Sequence, residues 1–287
     1  SIIEAMNDTG PDIAGQQIDD DAVQQYFEGI TTDAAASASY MAHAQNLPPD
    51  SVRYRLRGEV ATITDWLAEM PADGKVLDLG CGAGTWTEIF ARRCGTAIGV
   101  ERSASMVRSA RARLAGQAHV EIQQRDARAR LPEGPFDLIF LGGLCMYLND
   151  ADVIALLRTL RAKLETGGSV ILRESTIPRG STASQGEYQA VYRSVPLYRN
   201  LFQAAGFFSP DVRRNRAYTA MEVAVELVEL RRRTLPFLPA ESPALGALTW
   251  WALRCAAPVT FRLVPWLVSA IGLNWPRLQN HFFRLRL

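Results

Sequence analysis

The sequence predicts an α/β fold built on a mostly parallel sheet with helices on both faces. Three observations carry that reading. Strand-like runs at 75–79, 96–100, 119–123, 136–141 and 168–174 alternate with helical patterns at 85–93, 103–115 and 150–164, the repeated strand–helix–strand logic of parallel sheets. The first of these runs, in VLDLGCGAGTW at 76–86, ends in three glycines at every second position, Gly80, Gly82 and Gly84. Finally, 287 residues with 48% hydrophobic and 21% charged composition suit one large domain with appendages.

Taken in order, residues 1–19 are acidic and glycine-containing without an apolar stretch, and are expected as a flexible leader rather than a signal peptide. Residues 20–70 read as a helical cap. Its first segment, 20–45, spaces Tyr26, Phe27, Tyr40 and Met41 along one face and stops at Pro48-Pro49. Its second, 50–70, puts Arg53, Arg57 and Glu59 on a polar side and Val60, Ile63, Trp66 and Leu67 on an apolar side, until Pro71 and Gly74 break it. The α/β core follows over 71–233. After its fifth strand, a helix at 187–205 precedes two runs, 207–215 and 221–230, with no crossover helix between them. Such a pair is expected to close the sheet as an antiparallel edge hairpin. Residues 234–287 read as an apolar, arginine-rich helical extension.

Composition removes several function classes. The formal net charge is +1, so no global field favours nucleic acid or a strongly acidic partner. Lys75 and Lys163 are the only lysines, a bias that carries no function. Cys81, Cys94, Cys145 and Cys255 are widely spaced, with no Cys-x-x-Cys pair. Neither a disulfide framework nor a metal site is therefore expected, and the chain reads as cytoplasmic and reduced.

In an open α/β sheet, ligands bind beyond the carboxyl ends of the strands, where glycines let them touch backbone. A dinucleotide fingerprint spaces its last two glycines three apart. Here Gly82 and Gly84 are two apart, and Asp78 lies inside the strand, where a carboxylate repels a pyrophosphate but suits a cationic or amino-bearing ligand. These residues resemble the first motif of the class I S-adenosylmethionine-dependent methyltransferases, an acid two residues before Gly-x-Gly-x-Gly. The resemblance extends to Ile98-Gly99-Val100-Glu101, Gln124-Arg125-Asp126-Ala127, the strand Phe136 to Leu141 with its loop Gly142 to Leu148, the turn and strand Gly167 to Leu172, and Leu201 to Phe207.

The resemblance implies a Rossmann-like, seven-stranded sheet with S-adenosylmethionine as cofactor. Asp78, Gly80, Gly82, Gly84, Glu101, Arg102, Asp126, Ala127, Leu141 and Gly142 would hold it, with Glu101 on the ribose hydroxyls and Asp126 on the adenine amino group. Asp137, at the far end of its strand, and His119 read as structural. Methyl transfer from a sulfonium needs alignment, desolvation and, for a hydroxyl or ammonium acceptor, proton removal. Candidates for that last step are Glu174, Tyr147 and His43. Tyr26, Tyr40, Arg173, Arg179, Tyr192 and Arg193 are expected to line the acceptor side.

The function expected is transfer of the methyl group to a small-molecule, sugar or lipid-linked acceptor, on oxygen before nitrogen or carbon. The alternative is a methyltransferase-like scaffold subunit whose tail binds a partner or membrane. From Ser242 to Leu287 no acidic residue occurs, while Arg254, Arg262, Arg277, Arg284 and Arg286 punctuate an aromatic-rich apolar text. Charges and prolines interrupt every stretch long enough to span a bilayer. The tail therefore reads as a peripheral membrane contact, a wall of the acceptor pocket or a homodimer interface.

Overall fold

The computed structural model describes residues 17–29, 47–184, 186, 188–239, 242–270 and 275–287. The chain divides into two compact units. The first comprises Ser1–Ala36, Asp65–Arg213 and His281–Leu287, the second Ser37–Thr64 and Arg214–Asn280.

The first unit holds the sheet. Helix α1 (Asp20–Glu28) begins it, capped by the Asp19 carboxylate, which accepts from Asp21 N at 2.9 Å. Helix α2 (Pro49–Thr62) and the short α3 (Thr64–Ala68) divide the single helix expected at 50–70. The α/β alternation then follows: β1 (Lys75–Leu79), α4 (Thr85–Ala91), β2 (Thr96–Glu101), α5 (Ala104–Arg113), β3 (Val120–Gln124), β4 (Phe136–Leu141), α6 (Asp150–Arg161) and β5 (Leu164–Ile177). Strands β1 to β5 pair in parallel in the order β3–β2–β1–β4–β5, in register from Leu77↔Ile98 and Leu77↔Ile139 outward. Leu77, Leu79, Val100, Ile139 and Leu141 are fully buried in the resulting core. Asp137 accepts from Lys75 N at 2.7 Å, and the His119 ring bonds Ala91 O at 2.8 Å, both at structural positions remote from the glycine edge.

Beyond β5 the sequence reading needs correction. The helix expected at 187–205 is shorter, α7 (Val195–Ala204). It is preceded by a hairpin of β6 (Ser181–Ser184) and β7 (Ala190–Ser194), antiparallel to each other, with β7 parallel to the end of β5. The run 207–215 does yield a strand, β8 (Asp211–Arg214), but 221–230 is not its partner. Those residues lie within α8 (Arg216–Thr234), whose amino end is capped by Asn215 accepting from Tyr218 N at 3.2 Å. The alternation of valine and glutamate in MEVAVELVEL mimics a strand. Its valines, Met221 and Glu222 are all buried on a helix instead.

The strand that pairs with both β5 and β8 is β9 (Gln279–Arg286), at the opposite end of the expected extension. Residues 234–287 are thus not one helical appendage. Phe282, Phe283 and Leu285 are buried in the sheet's packing, with Phe283 against Tyr198 and Phe202 at ring distances of 5.2 and 5.3 Å. Arg284 bridges Glu69 at 2.8 Å and Asp211 at 2.8 Å. His281 bonds Thr176 Oγ1 of β5 through Nδ1 at 2.8 Å.

The second unit packs α2 on α8. Gly58 permits the approach, since a Cβ there would stand 2.5 Å from that of Ala217. Glu59, expected on a polar face, is buried and accepts from Asn215 Nδ2 at 3.0 Å, while Asn215 also donates to Asn280 Oδ1 at 2.8 Å. Helix α9 (Pro243–Cys255), a π-helical segment (Val259–Leu263) and α10 (Val264–Ala270) complete it. Trp250 packs edge-on against Tyr54 and tilted against Phe261. Among the described residues, no helix is long and apolar enough to cross a membrane.

If β9 is integral to the sheet, Phe283→Ala is expected to cost about 3–5 kcal/mol of stability in denaturant titrations. Phe208→Ser, at a side chain 68% exposed, should stay within about 0.5 kcal/mol.

Candidate active site

Every described residue of the site belongs to the first unit, along the carboxyl edge of the sheet. Asp78 is the next-to-last residue of β1, 2% exposed, and its Oδ2 accepts from Thr87 Oγ1 in the first turn of α4 at 2.6 Å. Burial, reinforced by the charge of Glu101, pushes its carboxyl up to about 7. The glycine loop follows. Gly82 and Gly84 have φ of +54° and +79°, a region that side-chain-bearing residues rarely adopt. A Cβ on Gly84 would press on Ala110 and Leu114 of the α5 region at 3.2 and 3.1 Å, whereas one on Gly82 would meet nothing within 4 Å. Gly84 is bare for packing, and Gly82 is bare toward open space.

Glu101 closes β2 and holds this loop. Its Oε2 accepts from Gly82 N at 3.0 Å, and its Oε1 accepts from Arg102 N and Ser103 N, each at 2.8 Å. Burial raises its pKa against those three bonds. Asp126, after β3, accepts from Arg128 N at 2.8 Å and from its guanidinium at 2.8 Å, and this pairing holds its carboxyl below the usual range.

Ion pairs that the sequence did not disclose tie the expected helical cap to this edge. Asp20 of α1 bridges Arg102 at 3.3 Å and Arg128 at 2.5 Å, and Gln24 also bonds Arg102. Ser103 Oγ donates to Phe27 O at 3.3 Å, while Asn149 exchanges bonds with the backbone of Ile18 at 3.0 and 3.2 Å. Helix α1 therefore lies over the strand ends as a laced lid. Beneath it, Phe27 meets the Tyr147 ring edge-on at 4.9 Å and Tyr26 meets Tyr188 at 5.1 Å. The hydroxyls of Tyr147, Tyr188 and Tyr192 form a run with 3.2 Å between neighbours. Tyr188 escaped notice because the helix expected from 187 placed it at a helix start instead of in the β6–β7 loop.

Other expected site residues lie elsewhere or serve differently. Glu174 is fully buried, its Oε1 accepting from Cys145 N at 3.0 Å and its Oε2 from the Tyr198 hydroxyl at 3.4 Å. It braces the turn after β4 and offers no face to an acceptor, which removes it as the base. Arg193, 1% exposed, is likewise a clamp and not an acceptor ligand: it donates to Cys145 O at 2.8 Å and Leu148 O at 2.7 Å and pairs with Asp150 at 2.7 Å. Tyr192 is 3% exposed, and its hydroxyl meets that of Tyr188 at 3.2 Å. Arg173 donates to Gly142 O at 3.2 Å, at the buried end of β4 marked by Leu141. Ala127 packs on the core, and Arg179 is exposed on the turn after β5. Tyr40 and His43 lie outside the described residues. Among those described, no three His, Cys, Asp or Glu side chains are placed to hold a metal.

Residues 76–168 match the family model described as a methyltransferase domain. The matched stretch runs from β1 into β5, and this part of the chain is similar to a methyltransferase domain. It is 40% identical over 113 residues to the trans-aconitate 2-methyltransferase of Azoarcus sp. (strain BH72), covering 38% of this chain and 43% of that protein. It is 27% identical over 137 residues to phosphoethanolamine N-methyltransferase 1 of Arabidopsis thaliana, covering 46% of this chain and 28% of the relative. The chain thus spans less than half the length of these two relatives. Among solved structures, a Leishmania major S-adenosylmethionine-dependent methyltransferase shares the fold with a TM-score of 0.55 and 21% identity, over 67% of this chain and 75% of that one.

Glu174 is a positioning residue, and its burial raises its pKa to about 7 from an ordinary 4.5. A carboxyl raised on folding contributes stability that is present below the unfolded value and lost as pH climbs through the folded one. Glu174→Gln keeps an oxygen for Cys145 N without the charge. Its urea midpoint is therefore expected to match wild type near pH 4.5 and to exceed it at pH 8; a difference that does not change with pH would refute the buried, proton-holding carboxyl.

Proposed function

We propose that the protein transfers a methyl group from S-adenosylmethionine to an oxygen of a small-molecule, sugar or lipid-linked acceptor, in a cytoplasmic setting. The observation that carries this is the placement of Asp78, Glu101 and Asp126 at the ends of successive parallel strands around a glycine loop whose Gly82 faces open space. The residues fit the cofactor. Bare backbone at Gly80 to Gly84 admits a ligand against the chain, and the carboxylate of Glu101, with about four lone-pair sites, retains acceptor capacity beside its three N–H partners. Asp78 would face the amino-acid end of the cofactor, Glu101 the ribose and Asp126 the adenine edge, with Arg102, Ala127, Leu141 and Gly142 around them.

Bound there, the cofactor supplies an electrophilic methyl on a sulfonium, whose charge is consumed as the methyl leaves. The chain's own part is to exclude water, align the acceptor and accept its proton. The lid α1 excludes water through Tyr26 and Phe27. Tyr147, Tyr188 and Tyr192 offer hydroxyls that orient an acceptor's polar group, with Tyr147 nearest the turn after β4. An apolar wall with phenolic dipoles suits a reaction that disperses charge.

Methylation at nitrogen is the second reading. The cluster Tyr26, Phe27, Tyr147 and Tyr188 presents aromatic faces of the kind that attract ammonium groups, and one relative is named for phosphoethanolamine N-methylation. Lipid-linked acceptors and a peripheral membrane contact within residues 242–287 belong to the same proposal.

Calorimetric titration with S-adenosylhomocysteine is expected to give micromolar binding. Glu101→Ala removes charge-assisted hydrogen bonds and should weaken it on the order of 100-fold. Gly82→Ala, where a Cβ has room but the φ of +54° disfavours it, should weaken binding and also lower stability by about 1–2 kcal/mol. No binding by the wild type would sink the proposal. With binding in hand, labelled methyl transfer to hydroxy and carboxylic acids against amines decides between oxygen and nitrogen, and Tyr188→Phe should lower kcat/KM several-fold.

A further inference from the structure

We propose that the outward face of residues 243–267 is a docking surface for a lipid bilayer bearing anionic headgroups. The inference deepens the reading above, in which lipid-linked acceptors and membrane contact figure. In the second unit, α9 turns Gly246, Trp250 and Leu253 inward at helical spacing, and Phe261 and Pro265 continue that inward stripe through the π-helical segment into α10. The opposite stripe faces out. It carries Leu248, Trp251, Val259, Leu263, Trp266 and Leu267, at intervals that keep the helical period, and both tryptophans are 65% exposed. Over this stretch Arg254 and Arg262 are the only exposed residues that are not apolar, alanine, proline or cysteine. Six large apolar side chains exposed within this one stretch are more than scattered surface hydrophobes account for.

Its chemistry selects the occupant. Tryptophan, leucine and arginine on one face of short helices are what the headgroup boundary of a membrane accommodates. A bilayer-spanning role is excluded for these helices: α9 has 13 residues, about 20 Å of helix against a hydrocarbon core of about 30 Å. A second copy fits less well. Across a two-fold axis the same arginine-bearing patch would face itself, and no acidic residue occurs between Ser242 and Leu287 to answer it. Arg254 already bridges Asp50 at 3.3 Å and stacks on Tyr54, while Arg262 is exposed on the outward stripe. Lipid phosphates supply what a second copy of this stretch lacks.

The test is co-sedimentation of the full chain with vesicles of phosphatidylcholine alone and of phosphatidylcholine with phosphatidylglycerol in equal parts. The wild type is expected to pellet with the anionic vesicles and to be released by salt. Trp251→Ser with Trp266→Ser should lower the pelleted fraction at least tenfold, and Arg262→Glu several-fold. A wild type that stays in the supernatant with both vesicles overturns the proposal, as does equal pelleting by the double variant. Sedimentation equilibrium without lipid adds a further check: a dimer that the double variant dissociates would assign the face to a second copy. Titrating the same samples with S-adenosylhomocysteine separates the two readings. Cofactor binding without vesicle binding overturns the surface alone, and vesicle binding without cofactor binding overturns methyl transfer alone.

Discussion

Removing a carboxylate from water is costly unless donors replace the water, and the carboxyl edge of this sheet is organised by how that requirement is met. Glu101 takes three backbone N–H groups, one of them from Gly82, so the acid at the end of β2 fixes the loop after β1. Glu174 takes Cys145 N and the Tyr198 hydroxyl, so the acid in β5 fixes the turn after β4. Arg193 grips the same turn through two of its carbonyls. Each of the two carboxyls accepts a backbone N–H from the loop of a neighbouring strand, Gly82 for Glu101 and Cys145 for Glu174, and so ties that loop to the sheet. Asp78 is the least compensated, with Thr87 as its hydroxyl donor and a pKa near 7, a state in which a cationic ligand group would restore the charge.

The lid is held by weaker forces. Asp20, Arg102, Asp126 and Arg128 are each about one-third exposed on their side chains, where a single ion pair contributes about 0–1 kcal/mol. The edge-on contacts of Tyr26 and Phe27 add about 0.5–1.5 kcal/mol apiece. These are small contributions beside the apolar burial that holds the sheet's core. The ion pairs also couple the lid to the site, because Arg102 and Arg128 bind the lid's Asp20 and the site's Asp126 with the same guanidinium groups.

What the sequence discloses about this site is local. The position of the glycine loop and of Asp78, Glu101 and Asp126 along the carboxyl edge could be read because each stands within a few residues of the strand end that places it. Exposure could not be read so well. Arg173 and Glu174 are adjacent at the same strand end, and strand pleating sends them to opposite faces, one half-buried and the other fully buried. The late strands failed for a different reason. Residues 221–230 satisfy period two by spacing valines against glutamates, and the decisive signal was Asn215, a helix cap immediately before them. The true partner of β8 begins at Gln279, beyond the reach of any pattern in adjacent residues.

That separation is tolerable because closing a loop costs only about 0.6 kcal/mol more for each doubling of its length. The intervening residues repay their own ordering by forming a unit with its own interior. The character of that interior is unusual. Glu59, Asn215, Asn280 and Arg55 are buried in it, and Glu222, fully buried, has its carboxyl pushed up to about 8, so that it holds its proton at neutral pH. Meanwhile Trp251 and Trp266 are among the most exposed large side chains of the chain. A unit that buries Trp250, Leu253 and Phe261 yet leaves Trp251 and Trp266 outward departs from the usual division between core and surface. Water does not reward that arrangement. An apolar boundary does, and the absence of acids along the outward stretch means that such a boundary can carry negative charge without repelling it.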